Sequence, residues 1–171
     1  MRIALTWNHP SYRDAEINEP IERVLSTNIM MSMATVHMRD DGVPESWINS
    51  MYFAYTEDLI FYILTYPTAE HVHNLMHNPS VALAIASQQP PDKHKVGLQI
   101  GGTCVPVPDD ELAVATKVYA ERFPWLRDFV RSAEDWQTTS LVSRLYKVTP
   151  RRIKVFSERQ IGTEMWLELH V

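Results

Sequence analysis

The chain has 171 residues, 45% hydrophobic and 22% charged, which is enough to bury one core and too apolar for a disordered chain. A formal net charge of −5 gives no whole-chain footprint for DNA or RNA. The single cysteine, Cys104, excludes an internal disulfide and fits a reducing compartment.

Met1 to Pro20 carries Asn8, His9, Arg13, Asp14 and Glu16 where a signal peptide needs an apolar run. Elsewhere the apolar runs stop short of the roughly 20 residues of a membrane helix. The expectation is one cytoplasmic domain over residues 1–171.

Ile17, Ile21, Val24 and Leu25 fall at helical spacing, which predicts a helix over 17–27 with Pro20 tolerated in its first turn. Met30 to Met38 reads as a strand, and Asp41-Gly42 as a hairpin turn into a second strand from about Ser46 to Tyr55. After a tight turn at Thr56-Glu57-Asp58, Leu59 to Leu64 is continuously apolar, as in a strand buried on both faces. The period then changes. Val72, Leu75 and Met76 share one stripe of a helix over Thr68 to Asn78, which Asn78-Pro79 stops. Ser80 to Ser87 is a fourth strand, Gln88 to Lys95 a loop, and Val96 to Val107 a fifth strand with a bulge signal at Gly101-Gly102. Residues 109–136 form a helical insertion in which Asp109 is the expected N-cap and Pro124 ends the main helix. Leu141 to Val148 and Ile153 to Ser157 read as two closing strands around a Thr149-Pro150 corner. The fold class is therefore mainly β, a six- to seven-stranded antiparallel barrel with helical insertions.

Several segments, in this order, resemble one known family: Ile48-Asn49-Ser50-Met51-Tyr52-Phe53-Ala54-Tyr55, Phe61-Tyr62-Ile63-Leu64-Thr65, Pro67 to Leu75, Asn78-Pro79-Ser80-Val81-Ala82, Val96 to Thr103 and Leu145 to Val155. That family is the pyridoxamine-phosphate-oxidase-like FMN-binding split barrel, and the likeness covers about Glu22 to Trp166. Phe61 to Thr65 and Tyr119-Ala120-Glu121-Arg122-Phe123-Pro124 are shared with a small uncharacterised bacterial group within it. The resemblance implies a split barrel, a homodimer, and two FMN sites each built from both chains. It implies that the strand through Leu64 and Thr65, with the helix start after it, holds the ribityl phosphate. It also implies that Asn49, Ser50, Met51 and Tyr52 run along the isoalloxazine ring, with Gln99 at the ring's polar edge.

The residues of the phosphate end add their own chemistry. A helix starting near Thr68 exposes N–H groups at Ala69, Glu70 and His71 and favours an anion there. Thr65 and Thr68 add hydroxyl donors, and His71 a charged one. The family's usual small hydroxyl, basic and basic positions read here as Ala69, Glu70 and His73. Lys93, Lys95, Arg144, Arg151 and Arg152 lie near strand ends as substitutes for the missing charge, and as solvated surface charges otherwise.

Glu70, His73 and His77 share one helical face, and a solvated face explains them better than a metal site. Cys104 reads as a buried thiol, and Trp166 as an interface residue or a cover for a cofactor. No catalytic residue stands out: there is no nucleophile elbow, no Gly-rich phosphate loop and no paired carboxylates. This pattern suits a flavoprotein, whose cofactor carries the electrons. The leading expectation is an FMN-dependent oxidoreductase acting on a small planar substrate. Oxidation of pyridoxamine phosphate itself is not expected, because Leu167 to Val171 lacks that enzyme's arginine-bearing tail. The rivals are a haem- or deazaflavin-binding carrier or sensor, and a cofactor-free interaction protein.

Overall fold

The computed structural model describes residues 4–6, 14–86 and 93–170. Strand β2 (Met30–Met38) turns Met31, Met33 and Thr35 inward, the period-two pattern of a strand with one buried face. It pairs with β3 (Pro44–Tyr55) along its whole length, from Met30 opposite Tyr52 to Met38 opposite Pro44. Gly42, at φ +79°, makes the tight turn between them. The third strand, β4 (Phe61–Thr65), begins two residues later than the apolar run suggests. Leu59 sits in the left-handed region at φ 59° and closes the preceding turn through its N–H to the Thr56 carbonyl.

Strand β5 (Ser80–Ala86) alternates Val81, Leu83 and Ile85 inward with Ala82, Ala84 and Ala86 outward. It pairs with β6 (Val96–Pro106), and β6 pairs with β7 (Arg144–Ser157). The first residues of β7 also pair with β4. The circuit β2-β3-β4-β7-β6-β5 and back to β2 closes a six-stranded antiparallel barrel. Beyond the reach of β4, the free edge of β7 takes up β8 (Leu167–His170), to which β1 (Ala4–Thr6) adds. The sequence anticipates neither short strand, because three or four residues give no countable period.

The expected corner at Thr149-Pro150 is absent, and β7 runs unbroken for 14 residues. Proline cannot donate to a ladder, and the sheet absorbs it at a bulge. Gly102 lies opposite Pro150 and Gly101 opposite Arg152, so Arg151 is the extra residue. A β-carbon on Gly102 would lie 2.4 Å from the Thr149 carbonyl oxygen, whereas one on Gly101 would meet nothing within 4 Å. Gly102→Ala is therefore expected to cost about 2 kcal/mol or more, and Gly101→Ala to be neutral or slightly stabilising. Urea melts of the two variants side by side check this.

Helix α1 (Asp14–Thr27) starts earlier than expected and packs Ile21, Val24 and Leu25 into the barrel core. Helix α2 (Glu70–His77) adds Val72 and Leu75 to that core. Helix α3 (Leu112–Arg122) covers the outer faces of β3, β4 and β7. There Ala115, Tyr119, Ala120 and Phe123 meet Ala54, Tyr62 and Leu145 in a second core cluster. Asp109 is not its cap: it lies in the preceding turn, and Glu111 occupies the N-cap position without a side-chain bond. Two 3₁₀ turns, Pro124–Asp128 and Glu134–Gln137, complete the insertion.

At the end of α3, Arg122 reaches back across the fold. Its Nη2 donates to the Leu25 carbonyl at 2.7 Å and to the Asn28 carbonyl, and its guanidinium lies 4.5 Å and 4.9 Å from the ring centres of Phe53 and Tyr55. Cys104 is fully buried, and burial pushes its thiol up to about 12. Among the described residues no helix is long and apolar enough to cross a membrane. Most of the Gln88–Lys95 loop, and Trp7, lie outside the described residues.

Candidate functional site

The barrel is split between β3 and β4, and the pairing shows where. Strand β3 meets β4 only at Phe53, Ala54 and Tyr55, so its earlier residues are paired with β2 alone. Phe53 donates its N–H to Ile29 on the β2 side. Because successive peptide groups in a strand face opposite edges, Asn49 and Met51 also bond toward β2, while the N–H and C=O of Ile48 and Ser50 face the open edge. Among the described residues these groups have no hydrogen-bonded partner on that edge.

Leu64 and Thr65 stand across the gap, paired among the described residues with Leu145 and Arg144 of β7. Side chains of β3 sort by face: Met51 is buried in the core, whereas Ser50 and Tyr52 point outward. The Tyr52 ring packs on Phe123 with centroids 5.5 Å apart.

The start of α2 differs in detail from the expectation. The cap position falls on Ala69, whose methyl group cannot cap, and Thr68 lies exposed just before it. Ala69 donates its N–H to the Tyr66 carbonyl, which leaves the N–H groups of Glu70 and His71 without a backbone acceptor among the described residues. Glu70 is exposed, whereas His71 is buried at 4% exposure with its Nε2 2.8 Å from Thr65 Oγ1. Burial holds the His71 imidazole below its ordinary pKa. The charged donor expected of His71 is therefore corrected to a neutral one, because ionising a ring under this helix costs desolvation. The structure thus brings Thr65, Thr68 and His71 to one end of the open edge. Of the basic residues considered, Arg144 is the one set beside Thr65 by register. Its Nη1 serves the carbonyls of Leu141, Val142 and Ser143.

The His71 environment has a pH consequence. Its folded pKa lies below the unfolded value near 6.5, so its contribution is complete above about pH 6.5 and is lost as the pH falls through the folded value. Wild-type stability is expected to decline from pH 7 toward 5 with a slope of up to about 1.4 kcal/mol per pH unit. The slope should flatten in His71→Gln, as read from urea midpoints at each pH.

Gln99 is not part of this cluster. It projects from the outer face of β6, separated from Ser50 by β2 and β5, in a row that runs Ser50, Ser32, Ala84, Gln99, Lys154, Glu168. The neighbouring row runs Ile48, Ala34, Ala82, Gly101, Arg152, His170. A cleft of about 490 Å³ lies over the middle of these rows, with Trp166 at its wall. The sequence does not signal Lys154, whose ammonium lies 4.0 Å from the centre of the Trp166 ring. Alternation along β7 would have put it on this face had the strand been read as continuous. His73 and His77 lie on a different cleft with His37, and His77 Nδ1 is tied to the His73 carbonyl at 3.0 Å. Among the described residues no three metal-ligating side chains converge.

The family model described as pyridoxamine 5'-phosphate oxidase matches residues 17–155. No curated protein matches the chain. Among solved structures, a putative pyridoxamine 5'-phosphate oxidase from Listeria innocua superposes with a TM-score of 0.59 at 16% identity, over 82% of this chain and 98% of that one. HutZ, a haem storage protein from Vibrio cholerae, gives 0.56 at 18% identity over 77% and 88%. A haem-binding protein from Mycobacterium smegmatis gives 0.63 at 15% identity over 93% of this chain but only 59% of its own length. At these identities the likeness is one of fold.

Proposed function

The chain belongs to the pyridoxamine 5'-phosphate oxidase family, and from that premise we propose that it is a cytoplasmic, homodimeric oxidoreductase that uses FMN. The observation that carries the reading is the open edge of β3. Ile48 and Ser50 hold N–H and C=O groups there with no partner on that edge among the described residues, a donor–acceptor pattern suited to the pyrimidine edge of an isoalloxazine. At the end of that edge, the Thr68 hydroxyl and the N–H groups of Glu70 and His71 suit a phosphate. Arg144 is the basic residue in register with Thr65, and it would have to leave the carbonyls of Leu141, Val142 and Ser143 and the Trp136 ring to serve that phosphate. Bound flavin would supply the electron chemistry itself, and the chain's part is to bind the ring, orient it and exclude water from one face.

Two features support the dimer. Met30, Ile48 and Tyr52 lie 46%, 66% and 48% exposed around the open edge, a patch that a partner would cover. Gln99, three strands away from Ser50 on the outer face, would reach a flavin at this edge from a second copy.

A haem reading has one observation of its own, the imidazoles of His37, His73 and His77 around a single cleft with Val36 and Met38. The absorption spectrum of the purified protein separates the two. The flavin reading expects bands near 370 and 450 nm, or their appearance with saturable binding on adding FMN, and a solution mass of two chains. A Soret band, or a colourless protein that ignores added FMN, overturns it.

A further inference from the structure

The cleft between the end of β2 and the second half of α2 shares no residue with the open edge of β3 or with the turn before α2. Strand β5 pairs with β2 no further than Ala34, so Val36, His37 and Met38 run on without it, and α2 lies beside them. Asn74 Nδ2 donates to Thr35 Oγ1 at 3.0 Å, and Asn78 Nδ2 to the Val36 carbonyl at 3.4 Å. These bonds fix the helix against the strand. The cleft they frame, about 330 Å³ in volume, has His37 and Met38 on its strand side and His73 and His77 on its helix side.

Two of these rings have one nitrogen committed and the other left over. His77 Nδ1 lies 3.0 Å from the His73 carbonyl, which holds its proton there and leaves Nε2 as a bare lone pair. His37 Nε2 lies 3.5 Å from Glu45 Oε2, while its Nδ1 is buried and has no hydrogen-bond partner among the described residues. An imidazole that gives one N–H to a carbonyl or carboxylate and keeps the other nitrogen open is prepared as a metal ligand. Buried polar atoms are normally satisfied, so the orphan nitrogen of His37 points to an occupant that the chain does not itself supply.

The donor set selects the ion. Among the described residues no three His, Cys, Asp or Glu side chains are placed to hold a metal, so the closed tetrahedral shell of structural zinc is missing. Copper(I) does not need that shell. It accepts linear or trigonal coordination, and thioethers are among the soft ligands that select it. Met38 brings a thioether to the same cleft, 63% exposed at the end of β2. His77 is exposed as well.

We propose that this cleft binds one copper(I) ion between His37 on β2 and His77 on α2, with the Met38 thioether as its third ligand. Glu45 and the His73 carbonyl position the two rings, and Asn74 and Asn78 hold the two walls together. The inference rests on neither cofactor reading, since it needs no flavin and no porphyrin. The sequence could not show it, because the strand-side donors meet α2 only in the fold.

The test is an anaerobic titration of the purified full chain with copper(I) in competition with bicinchoninate, beside a calorimetric titration with Zn²⁺. The expected result is one copper(I) per chain and at least tenfold weaker binding of zinc. His77→Gln and Met38→Leu, both at exposed positions, should each cost at least tenfold in copper(I) affinity while keeping the wild-type melting curve. Glu45→Gln should cost about tenfold, as an outer-shell partner does. His73→Gln should bind as the parent does, because its carbonyl remains. No copper(I) binding, zinc bound as tightly, or unchanged affinity in His77→Gln or Met38→Leu overturns the proposal. A loss in His73→Gln as large as that in His77→Gln also overturns it, since the ion would then sit on the helical pair. So does a Soret band on adding haem that His77→Gln removes, since the cleft would then take a porphyrin. FMN titration of the same variants keeps this inference apart from the flavin reading, because none of them alters the open edge of β3 or the start of α2.

Discussion

Arg122→Ala is expected to lower the unfolding free energy by about 3 kcal/mol, the largest loss from any single truncation outside the apolar core. Helix α1 has no basic residue in its own last turn, so its terminal carbonyls lack the cation that usually complements them. Arg122 supplies it from the end of α3, donating to the carbonyls of Leu25 and Asn28. A hydrogen bond from a charged donor is worth about 1.5–3 kcal/mol. The stacking on Phe53 and Tyr55 adds about 0.5–2 kcal/mol for a partly desolvated cation over aromatic rings. Arg122→Lys should recover only part of the loss, because an ammonium cannot reach two carbonyls while lying flat against two rings. Denaturant midpoints for the three proteins decide the matter. A loss under about 0.5 kcal/mol in the alanine variant would mean that α1 is held by its apolar face alone.

Ser50→Pro should abolish flavin binding, by at least about 100-fold, while leaving the barrel folded. The N–H of Ser50 faces the open edge and not β2, so proline there removes no ladder bond and places its ring where the cofactor's edge would lie. Asn49→Pro is the matched control. Its N–H bonds toward β2, and its loss is expected to cost about 3 kcal/mol whether or not any ligand is present. Circular dichroism and FMN titration on both variants separate the outcomes. A Ser50→Pro protein that binds FMN as the parent does would move the ring off β3. One that fails to fold would mean that the edge assignment from Phe53 is wrong.

Some of this was legible in the chain and some was not, for physical reasons. The alternation from Ser80 to Ala86 and the Asp41-Gly42 turn are local signals, and the strands they mark lie where the pattern puts them. The start of α2 was legible only approximately. Thr68 has the chemistry of a cap, but the chain bonds Ala69 to Tyr66 first and places the helix two residues on. Pro150 read as a corner because a missing N–H is a local fact, whereas the glycine pair Gly101-Gly102 that faces the bulge at Arg151 belongs to another strand. The open edge was beyond reach for the same reason. It exists because β4 is shorter than β3, and register between strands is not written in either strand alone. The pairing of His71 with Thr65 required knowing that α2 turns that ring under itself rather than toward solvent.

The double pairing of β7 has a consequence for how the molecule is made. Residues 30–106 contain five of the six barrel strands, and they can assemble as a curved sheet while the chain is still emerging from the ribosome. That sheet has two raw margins, β4 and β6, and one late segment, Arg144–Ser157, joins both. Until it emerges, the apolar inner faces of all five strands are open to any neighbouring chain. The interval between the synthesis of residue 106 and residue 157 is thus the period of greatest aggregation risk, and the α3 insertion lengthens it.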